Sequence, residues 1–250
     1  MNESCASSSL TVVLPMRAGS GRVPGKNMRP FANYEFGLAE LKLRQLLQVN
    51  EFDELLIDTD EPRIFELVEI LRNAPGVSEK SIERIRVEER DPLMATSITT
   101  TDSLIRYLAP KFRTSHVLWT HVTSPFVNAE VYRAAIASYF DLDRTAFDSL
   151  MSVTKLQEFI WSQQGPKNYD YSQEKWPRTQ TLPEWYFINS GLFICPSDFY
   201  QTYGNRIGER PALFQMDKIV GFDVDWPEDF EMAEALAERR PELIWPADYL

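Results

Sequence analysis

Near the start of the chain, Pro15 to Asn27 reads PMRAGSGRVPGKN and gathers residues suited to holding phosphate. Gly19 and Gly21 let the backbone come close to a ligand, so that its N–H groups can face phosphate oxygens, while Arg17, Arg22 and Lys26 bring compensating charge. The spacing is neither GxxxxGK[ST] nor GxGxxG, because Pro24 stands where a third glycine would be. On composition alone, an ordinary basic turn is the alternative. A second group lies near the other end, at Asp223-Val224-Asp225. Residues two apart on a strand share a face, so the spacing predicts two carboxylates turned towards one divalent cation, without which they would repel. Phe222, Val224 and Trp226 make the neighbourhood too apolar for a solvated acidic face.

Other chemistry-bearing residues fall between these two. Asp58-Thr59-Asp60 reads as a strand end that either caps a helix or touches a ligand. Arg90 to Asp102, RDPLMATSITTTD, places Arg90 and Thr99 before a helix N-terminus, where hydroxyls serve anion or base recognition or simply cap the helix. His121, one of two histidines, stands at a strand end as either an acceptor contact or a structural group. Arg178 has the planar fork that clamps a carboxylate, a salt bridge in a subunit-contact arm being the alternative.

These residues need a scaffold, and hydrophobic periodicity supplies one. Strands are predicted at 10–15, 54–58, 84–88, 117–122, 150–154, 185–195 and 220–225. Helices are predicted at 35–49, 61–71, 100–108 and 129–140, with Phe36, Ala39, Leu43 and Leu46 on one face of the first and Lys42, Arg44 and Gln45 on the other. A last helix enters at Pro227. The alternation implies an α/β, Rossmann-like fold, a mainly parallel sheet with helices on both faces. Ligands bind outside the carboxyl ends of such strands, so loops starting at Pro15, Asp58 and Thr123 should converge. Residues 155–185, polar and aromatic with prolines at 163–181, read as a small excursion or dimerisation arm.

Composition sets the outer bounds. With 250 residues, 44% of them hydrophobic, one well-buried domain over 10–250 is expected, preceded by a disordered leader at 1–9. A net charge of −11 argues against a nucleic-acid partner, yet no Asp or Glu lies between Ser4 and Tyr34, where Arg17, Arg22, Lys26 and Arg29 fall. A local positive patch on an acidic protein suits a small, highly charged anion. Two cysteines, Cys5 and Cys195, with no apolar run of bilayer length and no secretory leader, point to a reduced, cytoplasmic, non-membrane protein.

Taken in order, the motifs resemble those of the CMP-acylneuraminate and CMP-Kdo synthetase superfamily. Arg17, Gly19, Ser20, Pro24, Lys26 and Asn27 match its first signature; Thr123-Ser124-Pro125, Arg178 to Pro183, Asn189-Ser190-Gly191 and Asp223-Val224-Asp225 match later ones. The resemblance implies a nucleotide-diphospho-sugar transferase type of fold and a cytidylyltransferase joining CMP from CTP to a sialic-acid-like 2-keto-3-deoxy acid, with pyrophosphate released. It implies nucleotide binding by Pro15, Arg17, Ala18, Gly19, Ser20, Gly21, Arg22, Lys26, Asn27, Arg90 and Thr99. Acceptor contacts would come from Asn27, His121, Thr123, Ser124, Arg178, Gln180 and Asn189. Mg2+ would sit on Asp223 and Asp225, and the residues implied to be catalytic are Arg17, Lys26 and Asp225. A homodimer follows from the same likeness. Departures are Gly21 for a family lysine, His121-Val122 for Gln-Pro and Val127 for an arginine. They leave open a Kdo-like or phosphonate acceptor, or a nucleotide-binding protein without turnover.

Overall fold

The structure, a computed structural model, describes residues 9–19, 21–74 and 77–245. Its strands are β1 (Leu10–Met16), β2 (Glu54–Thr59), β3 (Ile85–Glu89), β4 (His116–Thr120), β5 (Ser149–Leu156), β6 (Trp161–Ser162), β7 (Gly165–Pro166), β8 (Trp185–Pro196) and β9 (Pro211–Met216). Its helices are α1 (Gly37–Leu47), α2 (Arg63–Arg72), α3 (Glu79–Glu83), α4 (Thr101–Leu108), α5 (Ala129–Phe140), α6 (Phe199–Thr202) and α7 (Pro227–Arg239). Seven strands form one sheet in the order β3-β2-β1-β4-β8-β5-β9, and only β8 runs against its neighbours.

Period-two burial explains the two covered faces. Val12, Leu14, Leu55, Ile57, Leu118 and Ile194 pack on one side with α1, α2, α5 and α7, while Val13, Leu56, Val117, Trp119 and Phe193 pack on the other with α4 and α6. From β1 the chain moves outward through β2 to β3, then returns to place β4 on the opposite side of β1. The carboxyl ends of β1 and β4 are therefore a topological switch point, where connecting loops part and leave a crevice.

Two sequence readings change. The segment 220–225 is not a strand: a turn closes from Gly221 N–H to the Asp217 carbonyl at 2.8 Å, and an extended loop follows, tied by Val224 N–H to the Thr123 carbonyl at 2.8 Å. Its apolar residues satisfy the core rather than a ladder. The last strand is instead β9, at a sheet edge and opening on Pro211, which costs little where the N–H need not pair. Most of the leader expected at 1–9 lies outside the described residues, as does Cys5, but Ser9 is anchored, its carbonyl accepting His116 N–H at 3.0 Å. Cys195 is a free, buried thiol.

Helix α1 is the second. Its start is possible only because Gly37, at φ +60°, has no Cβ; one would stand 1.9 Å from the Arg29 carbonyl oxygen. Lys42 and Gln45, read as an outer polar face, are fully buried. Lys42 Nζ donates to the carbonyls of Ser124 and Val127 at 2.8 and 2.7 Å, and Gln45 Nε2 to that of Pro125 at 2.8 Å. Desolvation pushes the Lys42 pKa well down, yet its head group donates to both carbonyls, that of Ser124 also accepting Val127 N–H at 3.2 Å. We expect Lys42→Met to lower the urea-unfolding free energy by about 2–4 kcal/mol, since two buried hydrogen bonds, to the Ser124 and Val127 carbonyls, are lost; an unchanged midpoint would refute that role.

Candidate active site

The β1–α1 loop and the β4–α5 loop meet at the switch point and enclose a cleft of about 430 Å³. It is lined by Pro15, Arg17, Gly19, Gly21, Arg22, Lys26 and Asn27 from the first loop, by His121, Val122 and Thr123 from the second, and by Ser97. The first loop is shaped by its own polar groups. Asp60, at the end of β2, accepts Ala18 N–H at 2.8 Å, Arg17 Nε donates to the Gly19 carbonyl at 2.7 Å, and Asn27 Nδ2 to that of Arg17 at 3.0 Å. Gly25 at φ +64° turns the chain so that Met28 and Arg29 N–H reach its carbonyl, which presents Lys26 inward. Asn27 Oδ1 is buried without a hydrogen-bond partner among the described residues.

The two ends of the chain are joined here. Arg22 Nη2 meets Asp225 Oδ1 at 2.7 Å, Lys26 Nζ stands 3.6 Å from the same oxygen, and Lys26 also donates to the Val224 carbonyl at 2.6 Å. Burial lowers the Lys26 pKa, against the opposing pull of Asp225 and Asp223. Asp223 is shifted upward, first by burial and further by its neighbour Asp225, and its Oδ1 has no partner among the described residues.

Asp223 and Asp225 also border a second cleft of about 410 Å³, with Thr154, Phe187, Ile188, Asn189, Ser190, Lys218, Gly221 and Phe222. The clefts share a wall, because Asp225 on one is paired with Arg22 and Lys26 on the other. Among the described residues no group of three or more His, Cys, Asp or Glu side chains could hold a metal. Two hard carboxylates, one carrying an orphaned buried oxygen, nonetheless suit Mg2+, which takes few protein ligands and completes its shell with phosphate oxygens and water.

Several sequence candidates stand elsewhere. Arg90 is withdrawn from the nucleotide set: it is buried, its Nε on Asp58 Oδ2 at 2.5 Å and its Nη2 on the Asp58 carbonyl at 2.8 Å, while Lys111 holds the other carboxylate oxygen at 2.8 Å. Asp58 is thus a structural anion. Thr99 Oγ1 pairs with Thr96 Oγ1 at 2.9 Å and Thr100 caps α4, so these hydroxyls shape the turn while Ser97 faces the cleft. Ser124 is buried away from both clefts. Arg178 and Gln180 are exposed in the excursion and line neither cleft. Asn189 lines the second, but its amide is committed to Ser152 Oγ at 2.6 Å and Thr154 Oγ1 at 3.0 Å, bracing the backbone where Ser190 takes φ +58°. Ser20 lies outside the described residues.

Residues that sequence reasoning missed include Lys42 and Gln45, which hold the second loop from beneath, and Ser97. The signal for the first two was available: Leu38, Ala39, Leu41, Leu43, Leu46 and Leu47 surround α1 on all sides, the mark of a buried helix.

The sequence model of a family described as cytidylyltransferase matches residues 11–247. A pseudaminic acid cytidylyltransferase from Campylobacter jejuni is 20% identical over 228 residues, covering 90% of this chain and 94% of that protein. Among solved structures, a CMP:2-keto-3-deoxy-manno-octonic acid synthetase complexed with CTP superposes with a TM-score of 0.62 at 16% identity, covering 93% of this chain and 99% of the other. A 4-diphosphocytidyl-2C-methyl-D-erythritol synthase from Anaerococcus prevotii gives 0.60 at 14% identity, with 92% and 96% covered. No helix among the described residues is long and apolar enough to cross a membrane.

Both histidines are depressed below their ordinary pKa, chiefly by burial: His116 with Arg144 adding to it, and His121, down to about 3, with Arg206 and Lys26 adding to it. Each ring binds a proton more readily in the unfolded chain, so this contribution is intact above about pH 6.5 and is lost as pH falls below it. We expect the urea-unfolding free energy to drop by about 1 kcal/mol or more between pH 7 and 5.5, and His116→Gln to flatten that slope. A free energy unchanged over this range would contradict the burial assignments.

Proposed function

The chain belongs to the cytidylyltransferase family and is a CTP-dependent nucleotidyltransferase, and we propose that it transfers CMP from CTP to a sialic-acid-like 2-keto-3-deoxy acid with release of pyrophosphate. The observation that carries this reading is the meeting of Arg22 and Lys26 with Asp225 at the wall between two clefts of comparable size. One cleft is cationic and glycine-rich, as a triphosphate requires; the other is bordered by carboxylates, apolar side chains and Lys218, as an acceptor sugar acid with its ring and hydroxyls requires. The named acid substrates of the relatives, pseudaminic acid and 2-keto-3-deoxy-manno-octonic acid, support an acidic sugar here.

In the reaction an acceptor hydroxyl oxygen forms a bond to the α-phosphorus of CTP, the α–β phosphoanhydride P–O bond breaks, and the hydroxyl proton passes to solvent. The residues act mostly by position and charge. Amide groups around Gly19 and Gly21 face the phosphates. Arg17, Arg22 and Lys26 offset the charge that builds on the departing pyrophosphate. Thr123 and His121 border the reacting centre from the β4–α5 loop, and the buried Lys42 keeps that loop in place. Asp223 and Asp225 would hold Mg2+, which supplies charge neutralisation and orientation at phosphate oxygens.

The same reading assigns a subunit contact to the excursion. The first half of β8, Trp185 to Ile188, is exposed on both faces, and Trp161, Tyr171 and Trp176 are exposed in the excursion that precedes it in the chain. A patch of this kind on a monomer marks a partner surface, and a second copy is the partner we assign to it. Sedimentation equilibrium should give a dimer, and Trp176→Glu should shift it towards monomer; a monomeric parent chain would refute the assignment.

Two further outcomes test the chemistry. Of the four nucleoside triphosphates, CTP with Mg2+ should raise the thermal midpoint most, by mass action on the folded state. Asp225→Ala should lower pyrophosphate release from CTP and a panel of acidic sugars by on the order of a thousandfold while the circular dichroism stays that of the parent. Undiminished turnover in this variant would sink the metal assignment.

A further inference from the structure

His121 lines the first cleft, and its environment fixes more than its position. Trp119 Nε1 donates to His121 Nε2 at 3.1 Å, and Arg206 Nη1 approaches the same nitrogen at 3.1 Å. An indole N–H and a guanidinium are donors only, so the nitrogen they share must offer its lone pair. Protonating the ring at Nε2 would set a third N–H against those two and place a cation beside Arg206. Arg206 cannot move aside easily, since its guanidinium lies over Phe193 at 3.8 Å and Trp119 at 5.4 Å. Among the described residues no carboxylate lies within ion-pair distance of it. Lys26 is the other charge that faces the ring, from the first loop, and it too opposes an imidazolium.

We propose that Trp119 and Arg206 hold His121 as a neutral ring with its proton on Nδ1, and that this N–H is a fixed donor to an anionic oxygen of the substrate in the first cleft. The proposal rests on the assignment of that cleft to CTP and its acceptor. Nδ1 makes no hydrogen bond to a described residue, and the guanidinium at Nε2 polarises the ring so that donation from the far side is strengthened. Arg206 is a positioning residue in this arrangement: its charge reaches the substrate through the ring. A carboxylate oxygen of the acid and a phosphate oxygen of CTP share the chemistry, and the kinetics below separate them.

The chain has two histidines, so ring nitrogen spectra of the whole protein can be assigned with His116→Gln. His121 is expected to show the Nδ1–H pattern, unchanged from pH 5.5 to 8, and Arg206→Gln to restore titration or a mixture of tautomers. An Nε2–H ring, or ordinary titration in the parent, overturns the proposal. In turnover assays with CTP, Mg2+ and the best acid, His121→Leu should raise one KM by about tenfold or more, the loss expected for a hydrogen bond to a charged group, with kcat changed far less. His121→Asn should recover part of that loss through its amide N–H, and Arg206→Gln should fall between. A raised KM for the acid identifies its carboxylate as the ligand, and one for CTP a phosphate; unchanged KM values in His121→Leu overturn the proposal. A parent chain that turns over no acid fails the functional reading instead, and the ring spectra, with the shift of the His121 Nδ1 proton on adding CTP, still decide this one.

Discussion

Asp225 is where the chain's two ends are tied, and most of the site depends on that tie. Arg22 and Lys26 are 203 and roughly 200 residues distant in sequence from the carboxylate and its neighbour that hold them, yet they share one anionic oxygen. Lys26 is largely desolvated, which disfavours its charge, and the adjoining acids offset part of that cost. The loop thus keeps its cations turned inward before a ligand arrives. An exposed ion pair such as Arg22–Asp225 contributes little to stability by itself, so its place here is understood through orientation.

Orientation on that scale needs rigid supports, and they come from both sides of the switch point. Asp60 at the end of β2 fastens the first loop by one backbone bond. The second loop is held by Lys42 and Gln45 through three carbonyls, and Val224 N–H closes on Thr123 from the acid-bearing segment. Downstream, Asp229 accepts the N–H groups of Asp225 and Trp226 at 3.0 and 2.8 Å, so the start of α7 fixes the acid pair. Each support sits one layer behind a cleft-lining residue.

The sheet was legible because apolar strands and amphipathic helices alternate, and the glycine-rich loop because its residue types have few other uses so close to a strand end. Period and composition say nothing about partners distant in sequence, and that is where the reading failed. Lys42 was placed outside since lysine is rarely buried, although the leucines around it gave contrary notice. Arg90 had the right charge in the right region, but Asp58, buried in β2, takes its guanidinium. The acids at 223 and 225 share a cleft border although 220–225 forms no strand, because a hydrogen bond to Thr123 holds the backbone extended as a ladder would.

The charges of the two clefts are not independent. Arg22 and Lys26 compensate Asp225 as long as nothing more anionic is near. A triphosphate in the first cleft competes for the same two cations, and whatever share of them it takes is lost to the carboxylates. Asp223, already raised by burial and by Asp225, then faces a neighbour with less compensation. Under the proposed assignment of CTP to this loop, the acid pair would be left in need of positive charge once the nucleotide is in place. By linkage, anything that favours cation binding at the pair must also favour the nucleotide, so the shared wall couples the two sites without any movement of the sheet. Lys218, on the border of the second cleft, relieves this deficit only in part, because it is exposed and shared with Glu158 at 2.6 Å. In the proposed reaction an acid entering the second cleft would meet these carboxylates, and a cation brought with the nucleotide would offset their charge.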